Sequence, residues 1–320
     1  MFDPLFIKDA WMLFRKQSVE NPLYRNFIEG LHINPTSINR LEEIPYLPIS
    51  FFKTHSVKTG AFNPAQCFES SGTTGMNNSR HCISDLKQYL DHTVVLFEEQ
   101  YGDLREYCVI GLLPSYLERK NSSLIAMVDH FIQLSNHRYS GFFLHDFKQL
   151  QEVLSQLEAS GQKTLLMGVT FALLDFAASH PMQLHNTIVM ETGGMKGRRK
   201  ELTRSAVHQL LKDGLGVASI HAEYGMTELM SQAYSKGDGI YQMSSTLKIL
   251  LRSIDDPFEI WNANEHIMRT GVINVIDLAN RDSIGFIATD DLARFTGNGA
   301  FELIGRVDSS DVRGCSLLTA

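Results

Sequence analysis

Hydroxyl-bearing residues and glycines are concentrated in segment 70–75, which reads Ser-Ser-Gly-Thr-Thr-Gly. Glycine lets a backbone turn with positive φ, successive amide groups can then point at one anion, and the hydroxyls add donors. The segment therefore predicts a loop that wraps a polyphosphate. It differs from the Walker-type loop because no Gly-Lys-Ser/Thr follows. A serine- and threonine-rich surface turn would have the same composition.

A second segment, residues 223–228, reads Glu-Tyr-Gly-Met-Thr-Glu and follows a predicted strand that ends at residue 221. In open parallel sheets, ligands bind beyond the carboxyl ends of strands. Tyr224 offers a flat face for a base, Thr227 a hydroxyl for a phosphate, and Glu228 a carboxylate for Mg²⁺. The same residues could instead form a buried turn, with Glu228 as a helix-capping acid.

Two shorter segments near the end of the chain carry an acid and a cation. Thr-Asp-Asp at 289–291 closes an apolar strand, so Asp291 could accept hydrogen bonds from ribose hydroxyls. Gly-Arg-Val-Asp at 305–308 supplies Arg306, which could contact ribose or phosphate. The first segment also describes an ordinary Asp-Asp turn, and a Gly-Arg pair alone is uninformative.

The elements that must position these segments follow from hydrophobic periodicity. Strands and helices alternate from residue 107 to residue 221, which indicates crossover units and a largely parallel sheet flanked by helices. From residue 248 onward the pattern is strand-rich and predicts a second, more antiparallel sheet. Predicted strands lie at 107–113, 164–169, 187–191, 217–221, 272–276, 285–288 and 301–304, and predicted helices at 5–27, 84–101 (with Ser84 as N-cap), 122–134, 171–179 and 200–212.

Composition excludes several classes of protein. The chain has 320 residues, a net charge of −7, 43% hydrophobic and 20% charged residues, so it can bury a large core and is not disordered. Without a block of lysine and arginine, nucleic-acid binding is not expected. No secretory leader and no membrane-spanning stretch is recognisable. Four scattered cysteines without paired spacing favour a reducing cytoplasm over a disulfide framework, namely Cys67, Cys82, Cys108 and Cys315.

The order of the four motifs resembles the adenylate-forming superfamily, which contains acyl-CoA synthetases, luciferases and peptide-synthetase adenylation domains. Within it, the chain most closely resembles the acyl-protein synthetase family, the long-chain-fatty-acid–luciferin-component ligases of bacterial bioluminescence. The closer resemblance runs from about residue 45 to the end of the chain. It is carried by the residues at 47–55 (LPISFFKTH), 79–81 (SRH), 121–124 (NSSL), 168–174 (GVTFALL) and 191–198 (ETGGMKGR).

The resemblance implies the fold of an adenylate-forming N-terminal domain over residues 1–304, with largely parallel sheets, flanking helices and a smaller strand-rich portion. It also implies an ATP and Mg²⁺ site in which Glu228 binds the metal. Thr227 would contact the α-phosphate, Asp291 the ribose, and Arg306 the ribose or phosphates. The other implied nucleotide-binding residues are Ser70, Ser71, Gly72, Thr73, Thr74 and Gly75 for the phosphates, and Gly193, Gly194, Tyr224 and Gly225 around the adenine.

The sequence departs from the superfamily in two places. After the phosphate loop the nearest cation is Arg80, where many relatives have Pro-Lys. Residues 305–320 form a hinge-like tail, and the small domain that carries the relatives' catalytic lysine is not expected to follow. We assign the missing cationic role to Lys196 and Arg198, although a solvated loop would have the same composition. The resemblance also implies that Cys315, in the tail, carries the acyl group before its delivery to a reductase or carrier protein.

The leading hypothesis is therefore a cytoplasmic, ATP-dependent ligase that activates a carboxylic acid, expected to be a fatty acid, as acyl-AMP and transfers it to a protein thiol. Two alternatives remain open. One is an acyl- or aryl-CoA ligase, and the other is a nucleotide-binding module without catalysis. The lack of a basic patch for the phosphates of coenzyme A favours the protein thiol.

Overall fold

The computed structural model describes residues 2–70, 78–113, 121–144, 146–193, 202–262, 269–297 and 299–307. Its helices are α1 (Pro4–Glu20), α2 (Pro22–Gly30), α3 (Phe51–Thr54), α4 (Leu86–Tyr101), α5 (Ser123–Ser135), α6 (Phe147–Ser160), α7 (Thr170–Ser179) and α8 (Arg204–Leu215). Its strands are β1 (Leu47–Pro48), β2 (Gln66–Glu69), β3 (Arg80–Ile83), β4 (Cys108–Leu112), β5 (Gly141–Phe142), β6 (Thr164–Gly168), β7 (Thr187–Glu191), β8 (His221–Tyr224), β9 (Ala233–Ser235), β10 (Ile240–Gln242), β11 (Leu247–Arg252), β12 (Ile260–Trp261), β13 (Thr270–Asp277), β14 (Phe286–Gly297) and β15 (Ala300–Arg306).

One half of the main sheet is parallel, as predicted. Strands β5, β4, β6, β7 and β8 lie side by side in that order, and each adjacent pair is parallel. Every residue of β4 and β6 is buried, because helices cover both faces of a parallel sheet. Apolar residues of α6, α7 and α8 pack into one core cluster on this half, and those of α4 and α5 pack into another.

The other half of the sheet is antiparallel, but it is not a separate sheet. Strands β9 and β10 pair with each other, and they join β8 to β15. The order therefore continues without interruption through β15, β14, β13 and β11 to β12. With β1, which pairs with β14 in parallel, the described residues form a mixed sheet of thirteen strands. The prediction of a second sheet missed this connection because β9 and β10 have only three residues each.

The predicted helix at residues 5–27 is divided into α1 and α2. Asn21 lies between them, and its side-chain oxygen accepts a hydrogen bond from the Tyr24 amide at 3.0 Å. Pro22 then occupies the first position of α2, where the missing N–H costs nothing. The N-cap of α4 is Asp85, which accepts from the Gln88 amide at 3.0 Å, and not the predicted Ser84.

Strand β8 begins where the predicted strand at 217–221 ends. Residues 216–220 instead leave α8, whose last turn is closed by Gly216 at a φ of +66°. The shift places Tyr224 inside the strand as its last residue, so the turn that follows begins at Gly225. Among the described residues, no helix is long and apolar enough to cross a bilayer.

Candidate active site

The carboxyl end of β8 brings Tyr224 against two residues from the antiparallel half of the sheet. The Tyr224 hydroxyl donates to Asp291 Oδ2 at 3.0 Å, and Arg306 Nε lies 3.1 Å from Asp291 Oδ1. Asp291 and Arg306 are direct cross-strand partners on β14 and β15. The structure therefore joins three of the predicted nucleotide-binding residues, which are up to 82 positions apart in the sequence, into one contact.

Charge and burial at this contact are unequal. Burial raises the pKa of Asp291, and Arg306 and the Tyr224 hydroxyl act in the opposite direction. The Arg306 side chain is 55% exposed, whereas that of Asp291 is 12% exposed. Because Asp291 contacts the guanidinium of Arg306 at Nε, the exposed N–H groups of Arg306 can donate to an oxygen ligand while the ion pair with Asp291 is kept.

Thr227 and Glu228 lie in the turn after β8. The carboxyl of Glu228 is buried, and it makes no hydrogen bond or ion pair with any part of the chain that the structure describes. It is close enough to Asp291 for its charge to contribute to the raised pKa of that carboxyl. A buried carboxylate beside a second acid is a favourable place for a cation.

Magnesium fits this donor set if ATP supplies the remaining ligands. The described residues contain no group of three or more His, Cys, Asp or Glu side chains that could hold a metal ion by themselves. Mg²⁺ commonly binds one or two carboxylates together with phosphate oxygens and waters. Glu228 is the available carboxylate, since Asp291 is already bonded to Arg306 and Tyr224.

The phosphate segment is the connection of a two-stranded hairpin formed by β2 and β3. At its base the Ser70 amide donates to the Ser79 carbonyl at 3.1 Å, and the Ser79 amide donates to Ser70 Oγ at 2.9 Å. The Ser70 hydroxyl is thus committed to closing the loop. Of the six predicted residues of this segment, only Ser70 lies in the described part of the chain; the other five lie outside it, namely Ser71, Gly72, Thr73, Thr74 and Gly75.

His81, on β3, connects this hairpin to the turn that holds Glu228. Because a carbonyl can only accept, His81 Nδ1 carries the proton and donates to the Thr227 carbonyl at 2.9 Å. Burial lowers the pKa of His81, and its Nε2 lies 2.9 Å from Ser283 Oγ and 3.1 Å from Asn280 Oδ1. Asn280 completes the connection by donating from Nδ2 to the Glu228 carbonyl at 2.8 Å.

Helix α1 supports this network from behind. Gln17 Nε2 donates to the Asn280 carbonyl at 2.9 Å, and the Gly285 amide donates to Gln17 Oε1 at 2.9 Å. Asp277 fixes the other side of the turn, since its Oδ2 accepts from the amides of Met230 and Ser231 at 2.8 and 3.1 Å. The turn at 225–229 is therefore held by buried hydrogen bonds from both directions.

Glu191 ends β7 and precedes the predicted adenine loop. It is buried, accepts from Thr170 Oγ1 at 3.0 Å, and lies 3.3 Å from His208 Nε2 and 3.8 Å from Arg204 Nε. Against the opposing effect of burial, these partners lower the pKa of Glu191. Gly193 follows with a φ of +75°, which favours glycine. Gly194, Lys196 and Arg198 lie outside the described residues.

A disulfide joins Cys67 and Cys82, which face each other across β2 and β3. The prediction that these cysteines are unpaired is wrong. They are 15 positions apart, and only the register of the hairpin brings them together. Cys108 is a buried free thiol, and Cys315 lies outside the described residues.

Sequence reasoning missed the residues that hold the site in place. His81 and Glu191 lie in segments that carry the family resemblance, but no role is assigned to them there, and Asn280 and Asp277 lie in no motif. Their partners are 46 to 199 positions away or on neighbouring elements. Arg252 is a further example, since it donates to the Thr289 carbonyl at 2.6 Å and so supports the strand that carries Asp291.

Comparison with known proteins decides the family. The family model described as acyl-protein synthetase, LuxE, matches residues 3–320. The chain belongs to the LuxE acyl-protein synthetase family. Among curated protein sequences there is no match.

Solved structures similar to this LuxE family member are adenylate-forming ligases. A 2-hydroxyisobutyryl-CoA ligase in the postadenylation state superposes with a TM-score of 0.62, 11% identity, and coverage of 96% of this chain and 68% of that one. A long-chain-fatty-acid-CoA ligase from Archaeoglobus fulgidus superposes with a TM-score of 0.52 and 13% identity, over 76% of this chain and 52% of that one. The O-succinylbenzoate coenzyme A synthetase of Bacillus subtilis, in complex with ATP and magnesium, superposes with a TM-score of 0.50 and 15% identity, over 78% of this chain and 52% of that one.

At sequence identities of 11–15%, these similarities establish the fold and not the activity. The LuxE family member spans 52–68% of the length of those three chains. The predicted fold, a mixed α/β domain similar to the N-terminal domain of adenylate-forming ligases, is confirmed.

Proposed function

We propose that the protein activates a carboxylic acid, specifically a fatty acid, with ATP and then transfers the acyl group to a protein thiol. The observation that carries this proposal is the contact of Tyr224, Asp291 and Arg306 beside the Glu228 turn, at the end of the parallel strands. Membership of the LuxE family supports the same chemistry. Acid-dependent exchange of pyrophosphate into ATP tests it, and exchange with no acid of a fatty and aryl panel would refute it.

In the first step, a carboxylate oxygen attacks the α-phosphorus of ATP and the bond from that phosphorus to the bridging oxygen breaks. Pyrophosphate leaves and acyl-AMP remains. Such a reaction depends on positioning and charge neutralisation more than on proton transfer. Tyr224 and Gly193 would bind the adenine, Asp291 the ribose, and Thr227 the α-phosphate. Arg306 would contact the ribose or phosphates.

Glu228 would hold Mg²⁺ at this site. When bound, the metal neutralises charge on the phosphates of ATP. The contribution of the chain is to keep the Glu228 carboxyl unpaired and correctly placed. His81 and Asn280 do so by fixing the backbone carbonyls of Thr227 and Glu228.

Lys196 and Arg198 are proposed as the cations that neutralise the transferring phosphate. A double Lys196→Ala and Arg198→Ala variant is expected to lower kcat for pyrophosphate exchange by about 100-fold, because each removes charge stabilisation from the transition state. Exchange kinetics at saturating ATP measure this. Replacement by alanine of Lys148 on α6 and Lys8 on α1, both exposed, is the charge-matched control. Full activity in the double variant would exclude these two residues.

Cys315 is proposed as the acyl carrier. The acyl-AMP carbonyl would be attacked by the Cys315 thiolate, AMP would leave, and a thioester would form. Cys315→Ser is expected to retain pyrophosphate exchange and to lose the hydroxylamine-labile acyl-enzyme, measured by intact-protein mass spectrometry. Cys108→Ser is the control for thiol removal. An undiminished, hydroxylamine-labile acyl-enzyme in Cys315→Ser would rule the assignment out.

The acceptor would be a reductase or an acyl carrier protein, as the resemblance implies. We also propose a cytoplasmic location, since ATP is available there. In that compartment the disulfide between Cys67 and Cys82 would exchange with the thiol pool.

A further inference from the structure

Polar groups beside Gly225 lack hydrogen-bonding partners among the residues that the structure describes. Gln232 Oε1 and the Tyr234 hydroxyl are both buried and unpaired, in side chains that are 4% and 1% exposed. The nearby Glu223 is half-buried, its carboxyl has no hydrogen bond or ion pair in the same part of the chain, and desolvation raises its pKa. We name Glu223, Gln232 and Tyr234 the Glu223 cluster.

The register of β8 and β9 places the cluster on one face of the sheet. Glu223 pairs with Tyr234 and Tyr224 pairs with Ala233, so the next pair along is Gly225 with Gln232. Side chains alternate along a strand, and the cluster therefore lies on the face opposite the Tyr224 ring. A β-carbon at Gly225 would overlap Glu223 Oε1 and touch Gln232 Cγ at 3.4 Å. The absence of a side chain at Gly225 leaves room for the two polar groups.

The cluster can both donate and accept hydrogen bonds. Burial raises the pKa of Glu223 to about 8, so at neutral pH its carboxyl is mostly protonated. The Tyr234 hydroxyl can donate or accept a hydrogen bond, and Gln232 Oε1 can only accept one. Unpaired buried polar groups destabilise a folded protein, so their retention at one place points to a ligand that satisfies them.

The position of the cluster relative to the proposed reaction identifies that ligand, and this step rests on the proposed function. The nucleotide would occupy the side of β8 on which Tyr224 meets Asp291. Thr227, the proposed α-phosphate contact, is two residues after Gly225. On that basis we place the attacking carboxylate next to Gly225, with the first carbons of the acid along the opposite face, towards the cluster.

We propose that Glu223, Gln232 and Tyr234 bind a hydroxyl or amino group carried by the acid close to its carboxylate. A hydroxyl group can donate to Gln232 and accept from Glu223 or Tyr234. An ammonium group would bind with Glu223 ionised, and so would bind better at higher pH. An unsubstituted fatty acid would leave all three polar groups unpaired. The cluster thus selects a substituted acid over a plain one.

The test compares matched acids of one chain length in pyrophosphate exchange: decanoate, 2-hydroxydecanoate, 3-hydroxydecanoate and 2-aminodecanoate. For the wild-type protein, kcat/KM is expected to be higher for at least one substituted acid than for decanoate, by about tenfold or more. Tyr234→Phe and Glu223→Leu are expected to bring this ratio close to one. Tyr139→Phe, which removes a hydroxyl bonded to Gln156 near the far edge of the sheet, should leave the ratio unchanged.

If the wild-type protein uses decanoate and its kcat/KM for every substituted acid is no higher than for decanoate, the inference is overturned and the proposed function remains intact. An unchanged ratio in both Tyr234→Phe and Glu223→Leu would have the same consequence. Because Tyr234→Phe removes only an unpaired hydroxyl, it should fold normally, which thermal unfolding verifies. Exchange with none of the acids would refute the proposed function together with the inference.

Discussion

Glu228→Gln is expected to lower kcat for acid-dependent pyrophosphate exchange by about 100-fold or more. The amide has the size of the carboxylate but is neutral, so it binds Mg²⁺ weakly and leaves phosphate charge unbalanced. Because the Glu228 side chain has no partner among the described residues, the substitution breaks no contact there, and stability should change little. Exchange rates as a function of Mg²⁺ concentration measure the effect.

The matched control is Glu29→Gln, which makes the same chemical change at an exposed position of α2. It should leave both the rate and the Mg²⁺ dependence unchanged. A Glu228→Gln protein that retains wild-type exchange at low Mg²⁺ would show that the metal is bound elsewhere.

His81→Leu is the second substitution with a large expected effect. It removes the hydrogen bond to the half-buried Thr227 carbonyl and the contact with the buried Ser283 hydroxyl. We expect a loss of about 2–5 kcal/mol in the free energy of unfolding. Since the freed backbone also carries Glu228, exchange should fall by about tenfold or more even where the variant is fully folded.

Denaturant unfolding measures the first effect, and exchange at a temperature below the transition of the variant measures the second. The Mg²⁺ dependence separates a positioning role from a purely structural one, since only the former raises the Mg²⁺ concentration needed for half-maximal rate. His55→Leu, at an exposed position after α3, is the control. A destabilised His81→Leu protein with a normal rate and Mg²⁺ dependence would show that His81 serves stability alone.

The sequence predicts most of the parallel half of the fold because β4, β6 and β7 are continuous apolar runs bounded by turns, but it misses β5 and α6. Strand β7 has its predicted bounds, and α7 starts one residue early. Strand bounds are predicted less well where the strands are short or where tertiary contacts determine which residues form the strand. Strand β8 is displaced because polar residues alternate with apolar ones along it, namely His221 and Glu223. Strands β9 and β10 are too short for hydrophobic periodicity to indicate them.

The same division applies to the site. Tyr224, Asp291 and Arg306 stand in motifs whose order along the chain indicates their use, and the structure brings them together. His81 and the Cys67–Cys82 disulfide depend on the register of one hairpin and on distant partners. No local pattern specifies such contacts, so only the folded chain reveals them.

Direct detection of the activated acid is the sharpest test of the central claim. The wild-type protein, ATP, Mg²⁺ and a mixture of fatty and aryl acids are incubated together, and the products are analysed by mass spectrometry. The account predicts an acyl adenylate that appears with stoichiometric pyrophosphate, requires Mg²⁺ and is strongly reduced in Glu228→Gln. ATP binding without any acyl adenylate would contradict it and would favour a nucleotide-binding module without catalysis.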